Sequence, residues 1–433
     1  MTKRNKQRGV ALLSVMIAIA ITIVISNEFG TSTSTDMIAA ANYRDEMRAH
    51  FLARSATNLA ELVVRIQQRM DNLPKSMQQM TGPIQLTDYA DQLVLPFCGS
   101  DAEVHDAIGF STSAIKGLGA DIGTCGFDGP FETEDDKINV NCANVDASWG
   151  VAQSAIGALM YFQAYDTVFD DNDAEGWHRD RAMQNAAILD YIDGNTMHAR
   201  DRGTTEDYGY ESLKDRYYPK NNYIDTPGEL KLVRGVDDRF WTLFGPAFTV
   251  YGGCKVNLTT LSNPQLIAGL LFLTAKNAND PVLLDQRRLF MLATYVSKAR
   301  QFGESFNSVP DFVTFVKDPG SSVAMLAGQS GTMAGSAASA AVTAGLPGLQ
   351  PGEQLGMELD PAKVNQMAFT GPRKTYRIHA YGEIERKQKT KDGKPIYPPI
   401  RKTVDGVWDM KVVPQNVRKP PVPKGAWVFM KED

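Results

Sequence analysis

Cysteine is scarce in this chain. The 433 residues hold four, none in a CxxC pair, which excludes a disulfide-dense scaffold, a zinc ribbon and a thioredoxin-like centre. The five histidines (His50, His105, His178, His198 and His379) are scattered without HExxH spacing. No phosphate-binding loop is present. The serines around Ser330-Gly331 lie in a small-residue stretch, away from histidine and acid partners, so no catalytic constellation forms and the chain does not read as an enzyme. An excess of positive charge is also missing. Lysine and arginine number 45 against 50 acids, and a net charge of −5 is a poor basis for wrapping nucleic acid. What remains is globular: 43% apolar and 22% charged, long enough for two to three domains.

One long hydrophobic run is present, at the start. Residues 1–9, MTKRNKQRG, carry Lys3, Arg4, Lys6 and Arg8 and no acid. Val10 to Ser26 then runs 17 residues without a charge, near the lower limit for crossing a bilayer. Basic residues ahead of the run predict a cytoplasmic N-terminus with the bulk of the chain exported. The run ends in Ser26-Asn27-Glu28-Phe29-Gly30 without a small-x-small site, so it reads as an anchor rather than a cleaved secretory signal. Export places the cysteines where they can pair.

The order of these parts, a short basic leader ending in Gly9 with the apolar run immediately after it, resembles the class III leader of type IV pilins and type II secretion pseudopilins. The resemblance implies cleavage between Gly9 and Val10 by a prepilin peptidase and N-methylation of Val10. Most of that superfamily carries glutamate at the fifth mature position; here it is Ser14. The member that typically lacks the glutamate is the K-type minor pseudopilin. Two further features resemble that type. KINVNCAN (137–144) and KVNLTTLS (255–262) look like related openings of helical modules, and ELKLVRGVDDRFW (229–241) follows a tyrosine-rich loop.

The remaining chain is read with the same periodicities. Ala56, Leu59, Val63, Ile66 and Met70 recur at helical spacing and predict one buried stripe, after a bend or loosening near Gly30. Leu73-Pro74 ends the helix. Ile138 and Val140 alternate as in a strand. Thr226-Pro227-Gly228-Glu229 is a capping box. The LVRGV turn also resembles helix-hairpin-helix DNA-binding units, but Asp237, Asp238 and Glu229 balance Lys231, Arg234 and Arg239, so it reads as packing. Tyr376–Glu385 and Ile400–Val404 alternate as strands, separated by a lysine-rich loop, and Met410–Val413 and Trp427–Met430 are candidate edge strands.

The expected fold is therefore α+β: a long N-terminal transmembrane and spine helix and a pilin-like antiparallel sheet head carrying a large inserted all-helical domain. The divisions are leader 1–9, spine 10–72, first part of the head 73–142, helical insertion 143–310, a flexible small-residue excursion 318–356, and a terminal sheet 357–433. The four cysteines allow three pairings. The preferred one joins Cys98 to Cys125 and Cys142 to Cys254, the second bracketing the insertion. Asp171-Asn172-Asp173-Ala174-Glu175-Gly176 opens like an EF-hand loop, but position twelve is Ala182, which rejects it. The K-type resemblance implies calcium in acidic loops, with Asp190, Asp193, Asn195, Glu206, Asp207 and Asp225 as candidate ligands.

The function implied is a minor pseudopilin at the tip of a type II secretion pseudopilus, anchored in the bacterial inner membrane with its bulk in the periplasm. It would prime assembly for the export of folded periplasmic proteins across the outer membrane. Implied partners are the I- and J-type minor pseudopilins, the major pseudopilin and the prepilin peptidase, and no nucleic acid. Alternatives with the same leader are a tip pilin of a type IV or competence filament, or a generic membrane-anchored periplasmic interaction protein.

Overall fold

The computed structural model describes residues 4–73, 85–99, 123–169, 171–172, 176–199, 205–211, 213–301, 306–319, 355–385, 398–412 and 425–433, with backbone alone for residues 4–9. Most of the 318–356 stretch, most of the lysine-rich loop and Glu175 of the EF-hand-like opening lie outside these residues. In chain order the helices are α1 (Arg4–Asp71), α2 (Ala90–Cys98), α3 (Asp146–Leu159), α4 (Arg181–Ile192), α5 (Asp238–Phe244), α6 (Pro264–Thr274), α7 (Pro281–Leu284), α8 (Gln286–Gln301), α9 (Val309–Lys317) and α10 (Pro361–Met367). The strands are β1 (Thr124–Phe127), β2 (Glu132–Thr133), β3 (Ile138–Asn139), β4 (Phe248–Thr249), β5 (Val256–Asn257), β6 (Ala368–Phe369), β7 (Thr375–Ile384), β8 (Ile400–Asp409) and β9 (Ala426–Glu432). Several turns of 3-10 helix, a single α-helical turn at Tyr208–Glu211 and a two-residue hairpin connect them.

Helix α1 is unbroken for 68 residues. The looseness expected near Gly30 is absent. Through that polar stretch Thr31 donates its hydroxyl to the Glu28 carbonyl and Thr35 to the Thr31 carbonyl, so the side chains bond the helix's own backbone. The first part is apolar and exposed on every side, with a mean hydropathy of 2.5 over its most apolar stretch, enough in length and composition to cross a membrane. Farther on, one face is buried: Ala49, Ala53, Ala56, Ala60, Val64 and Gln67. Of the expected stripe, Ala56 and Val63 are buried, Leu59 and Met70 are half-buried, and Ile66 is 42% exposed. Alanine decides the matter, because small side chains let a sheet lie close against the helix. At Gly382 of β7 an added Cβ would stand 2.2 Å from the Ala49 carbonyl oxygen and 2.5 Å from the Ala53 nitrogen. Only glycine fits that crossing.

The chain divides into two compact units. The first comprises residues 1–131, 378–407 and 428–433. The sheet order is β1-β7-β8-β9, with β1 and β7 antiparallel. The disulfide Cys98–Cys125 ties α2 to β1, with Cα atoms 4.6 Å apart. Near the C-terminus Glu432 accepts from His50 at 2.8 Å and pairs with Arg54 at 3.5 Å, both on α1. Met410 lies in a turn after β8 rather than in a strand, whereas Trp427–Met430 does form part of β9.

The second unit comprises residues 132–377 and 408–427, so it extends past residue 310 through α9 and α10. It contains two modules with one plan. In the first, β3 pairs in parallel with β4; in the second, β5 pairs in parallel with β6. Each opening strand ends in asparagine. Asn139 Oδ1 accepts from Asn141 N at 3.0 Å and its Nδ2 donates to the Gly252 carbonyl. Asn257 Oδ1 accepts from Thr259 N at 3.0 Å and its Nδ2 donates to the Gly371 carbonyl. The asparagine turns the chain at once, which is why the expected strand through Val140 stops at Asn139 and becomes 3-10 helix. The closing strands share Ala-Phe-Thr, at 247–249 and 368–370. Apolar α6 runs through the middle, capped by Asn263 with Pro264 at its first position, and packs on α3 and α8. The disulfide Cys142–Cys254 links the two openings, Cα to Cα 5.6 Å.

Candidate metal centre

Helix α4 starts where the Asp180 side chain accepts from Met183 N at 2.6 Å. Its other end carries acids. Asp190 lies in the last turn, Asp193 is the C-cap, and both are buried. Glu206, brought back by a loop whose ends bridge at Met197 and Thr205, is 3% exposed. The carboxylate oxygens of these three lie within 4.8 Å of one another, and among the described residues theirs is the one such cluster. A helix C-terminus carries partial negative charge, so this is the wrong end for anions unless something positive joins them.

Partners for the three are unequal. Asp190 Oδ1 accepts from Ala199 N at 2.8 Å, and His198 Nδ1 stands 3.7 Å from Oδ2. Asp193 accepts from the Trp149 indole at 3.2 Å and from Asn195 N at 3.4 Å. Both Glu206 oxygens are buried without a hydrogen-bond partner. Burial, followed by the neighbouring Asp193 and Asp190, pushes the Glu206 carboxyl up to about 8. Burial, with Asp193 adding to it, pushes Asp190 up to about 7, and burial likewise raises Asp193. A cation bound by hard oxygens removes each of these penalties at once. Carboxylates crowded around unpartnered oxygens are the donor set of calcium, so the residues present fit that ion.

Of the six ligands expected from sequence, the fold gathers Asp190, Asp193 and Glu206. Asn195 is adjacent, but its Oδ1 accepts from Met197 N at 2.8 Å within the turn. Asp207 is half-buried next to Glu206 and raises its pKa further. Asp225 faces away, its side chain 88% exposed and paired to Lys220 at 3.1 Å. Trp149 and His198 escaped sequence reasoning. His198 follows Asn195 closely, but nothing in the sequence places Trp149 against Asp193. Asp171 and Asn172, from the rejected EF-hand loop, pair instead with Arg179 and His178 in a two-residue hairpin.

The LVRGV turn is held from within the unit. Gln184 Nε2 donates to the Arg234 carbonyl at 3.0 Å, and Arg179 donates to the Gly235 carbonyl at 2.8 Å. The Glu229 carboxylate accepts from Thr226 N at 3.1 Å, forming the capping box.

No family model matches the chain, and no curated protein does. Among solved structures, the chain is similar to one in the crystal structure of the GspK-GspI-GspJ complex from the enterotoxigenic Escherichia coli Type 2 Secretion System. The two share 13% sequence identity over 72% of this chain and 80% of that one, with a TM-score of 0.39.

Proposed function

We propose that this protein is a K-type minor pseudopilin, which caps and primes a type II secretion pseudopilus from the inner membrane and breaks no bond. The observation that carries the reading is α1. Past its all-apolar first part the helix has two faces. Nine residues make two and a half helical turns, so residues nine apart point oppositely. Met47, Phe51 and Leu62 stand nine from buried Ala56, Ala60 and Ala53, and are 37%, 59% and 52% exposed. That leaves a far side of mixed character, where the same spacing also sets Arg44, Asn58, Arg65 and Arg69, with Met47, Phe51 and Leu62 as exposed apolar positions suited to neighbouring spine helices. Fellow subunits would be the I- and J-type minor pseudopilins and the major pseudopilin.

Ser14 supports the tip position. Its hydroxyl donates to the Val10 carbonyl at 2.9 Å, within its own helix, where most pilins carry an acid suited to a neighbour's amine. In lipid an unpaired acid is costly, and a subunit with no earlier neighbour does better without one. Calcium at Asp190, Asp193 and Glu206, when bound, supplies the positive charge that holds the loop to α4. The test is the mass of the membrane form made with active prepilin peptidase. The reading expects Val10 as a methylated N-terminus. A protein that still begins at Met1 overturns it. Immunogold label spread along assembled filaments, rather than at their ends, overturns the tip position.

A further inference from the structure

Between the C-terminal end of α6, the 275–280 loop, α7 and the start of α8 lies an open groove of about 790 Å³. Phe272, Leu273 and Leu283 form its half-buried floor, and Tyr161 stacks on Phe272 with centroids 4.0 Å apart. Leu284 stands on the lip, 69% exposed. The rim carries Lys276, Arg287 and Lys363 against a single acid, Asp285. That acid is already engaged, accepting from Arg287 N at 3.0 Å and pairing with Arg288 at 3.5 Å. Lys276 has Glu358 at 3.3 Å. Lys363 reaches only the Ala275 carbonyl, at 3.4 Å, and neither it nor the Arg287 guanidinium has a carboxylate partner among the described residues. In a protein of net charge −5, two cations without a carboxylate partner among the described residues, beside a half-buried apolar floor, are a local reversal of sign.

We infer that this groove docks an extended acidic segment of a partner polypeptide, with one large apolar side chain against Phe272 and Leu283 and carboxylates facing Arg287 and Lys363. The apolar floor supplies an anchor of the kind that dominates interfaces, and the cations set the polarity of what lies over it. An open groove leaves one side of any occupant in water. That suits a segment attached to a folded partner better than a small molecule, which needs ~70–90% of its surface buried. The inference stands apart from the pseudopilin reading, since it uses only this unit's own residues.

The test uses the full chain in detergent and fluorescence anisotropy with a labelled hexapeptide of aspartates and glutamates around one phenylalanine. Saturable binding is expected, weakened when salt rises from about 50 to about 300 mM. Arg287→Glu with Lys363→Glu should weaken it by roughly tenfold or more, since like charges then face each other. Leu284→Ser should weaken it by roughly threefold or more through lost apolar contact. Arg287→Gln, which leaves Lys363 on Ala275, is the gentler variant and should move affinity in the same direction with thermal unfolding unchanged. Absence of saturable binding overturns the inference. So does equal affinity for the peptide with lysines in place of its acids, or undiminished binding to Arg287→Gln and the double variant. Preference for anionic phosphatidylglycerol vesicles over the peptide would overturn it too, by making the surface a lipid site.

Discussion

The two helical modules open with the same device and share an apolar core, but differ in the polar side chains they bury. Both begin with a two-residue parallel strand pair and an asparagine that captures a backbone amide. Between its strands the first module buries Arg179, Gln184, Asp190, Asp193, Glu206 and Arg234. The second buries Thr260, Thr274 and Ser297 besides its asparagine, and no charged residue among those described. Its helices α6, α8 and α9 meet through Leu271, Leu292, Phe312 and their neighbours, each 1% exposed or less. An uncharged core needs no counter-charge; buried acids crowd one another until a cation or protons neutralise them. One plan has thus produced a module whose buried polar groups are uncharged and one that buries an acid cluster suited to a cation.

The disulfide that joins the two modules should matter most. Replacing Cys142 and Cys254 with serine opens a 112-residue span. It should cost about 4–5 kcal/mol in the chain-entropy picture, read as a lower denaturant midpoint with both modules affected. Calcium should then separate them. At a hundredfold excess over its dissociation constant an ion adds about 2.7 kcal/mol, and chelation should remove that. Hydrogen exchange should rise across 190–199 and 205–211 on chelation and stay unchanged in α6 and α8. Glu206→Gln should abolish the difference between chelated and calcium-loaded protein. Equal loss of protection in both modules would break the comparison.

A third expectation concerns pH. With metal removed, Glu206 and Asp190 hold protons in the folded state, near 8 and 7, that they release at their ordinary values of 4.5 and 3.8 when unfolded. The folded state then binds more protons across that window, so stability falls as pH rises from about 4 to about 8. Melting of the chelated protein should follow that slope, Glu206→Gln should flatten part of it, and calcium should restore stability at the upper end. The smallest effect tests what the modules share. Asn139→Ala and Asn257→Ala each strand a buried amide or carbonyl, and should cost about 1–3 kcal/mol by chemical denaturation. A negligible loss at either site would mean that the common plan is not a common source of stability.

Legibility in the sequence followed the size of the physical signal. Val10–Ser26 and the Thr226 capping box were plain, because an uncharged run and a cap are local. The phase of the spine stripe was plain only in part, at Ala56 and Val63. Ala49 and Ala53 carry little hydrophobic signal, and what selects them is the close crossing at Gly382, a contact between residues over 300 positions apart. The acidic candidates were named from loop chemistry. Which of them converge depended on where α4 ends and how 205–207 returns, so Asp225 and Glu206 looked alike until the fold turned one out and the other in. The shared Ala-Phe-Thr at the two closing strands is too short to stand out before the parallel pairing gives it a place.

The pairing of β2 with β7 sets Glu132 opposite Arg377. The chain thus leaves the sheet and returns to it at adjacent positions, with residues 134–374 between them in sequence. Tension drawn along the backbone from α1 into β1 can pass across the strand pair to β7 without traversing the helical modules. Such an insertion can change in length without altering the register of β1 on β7.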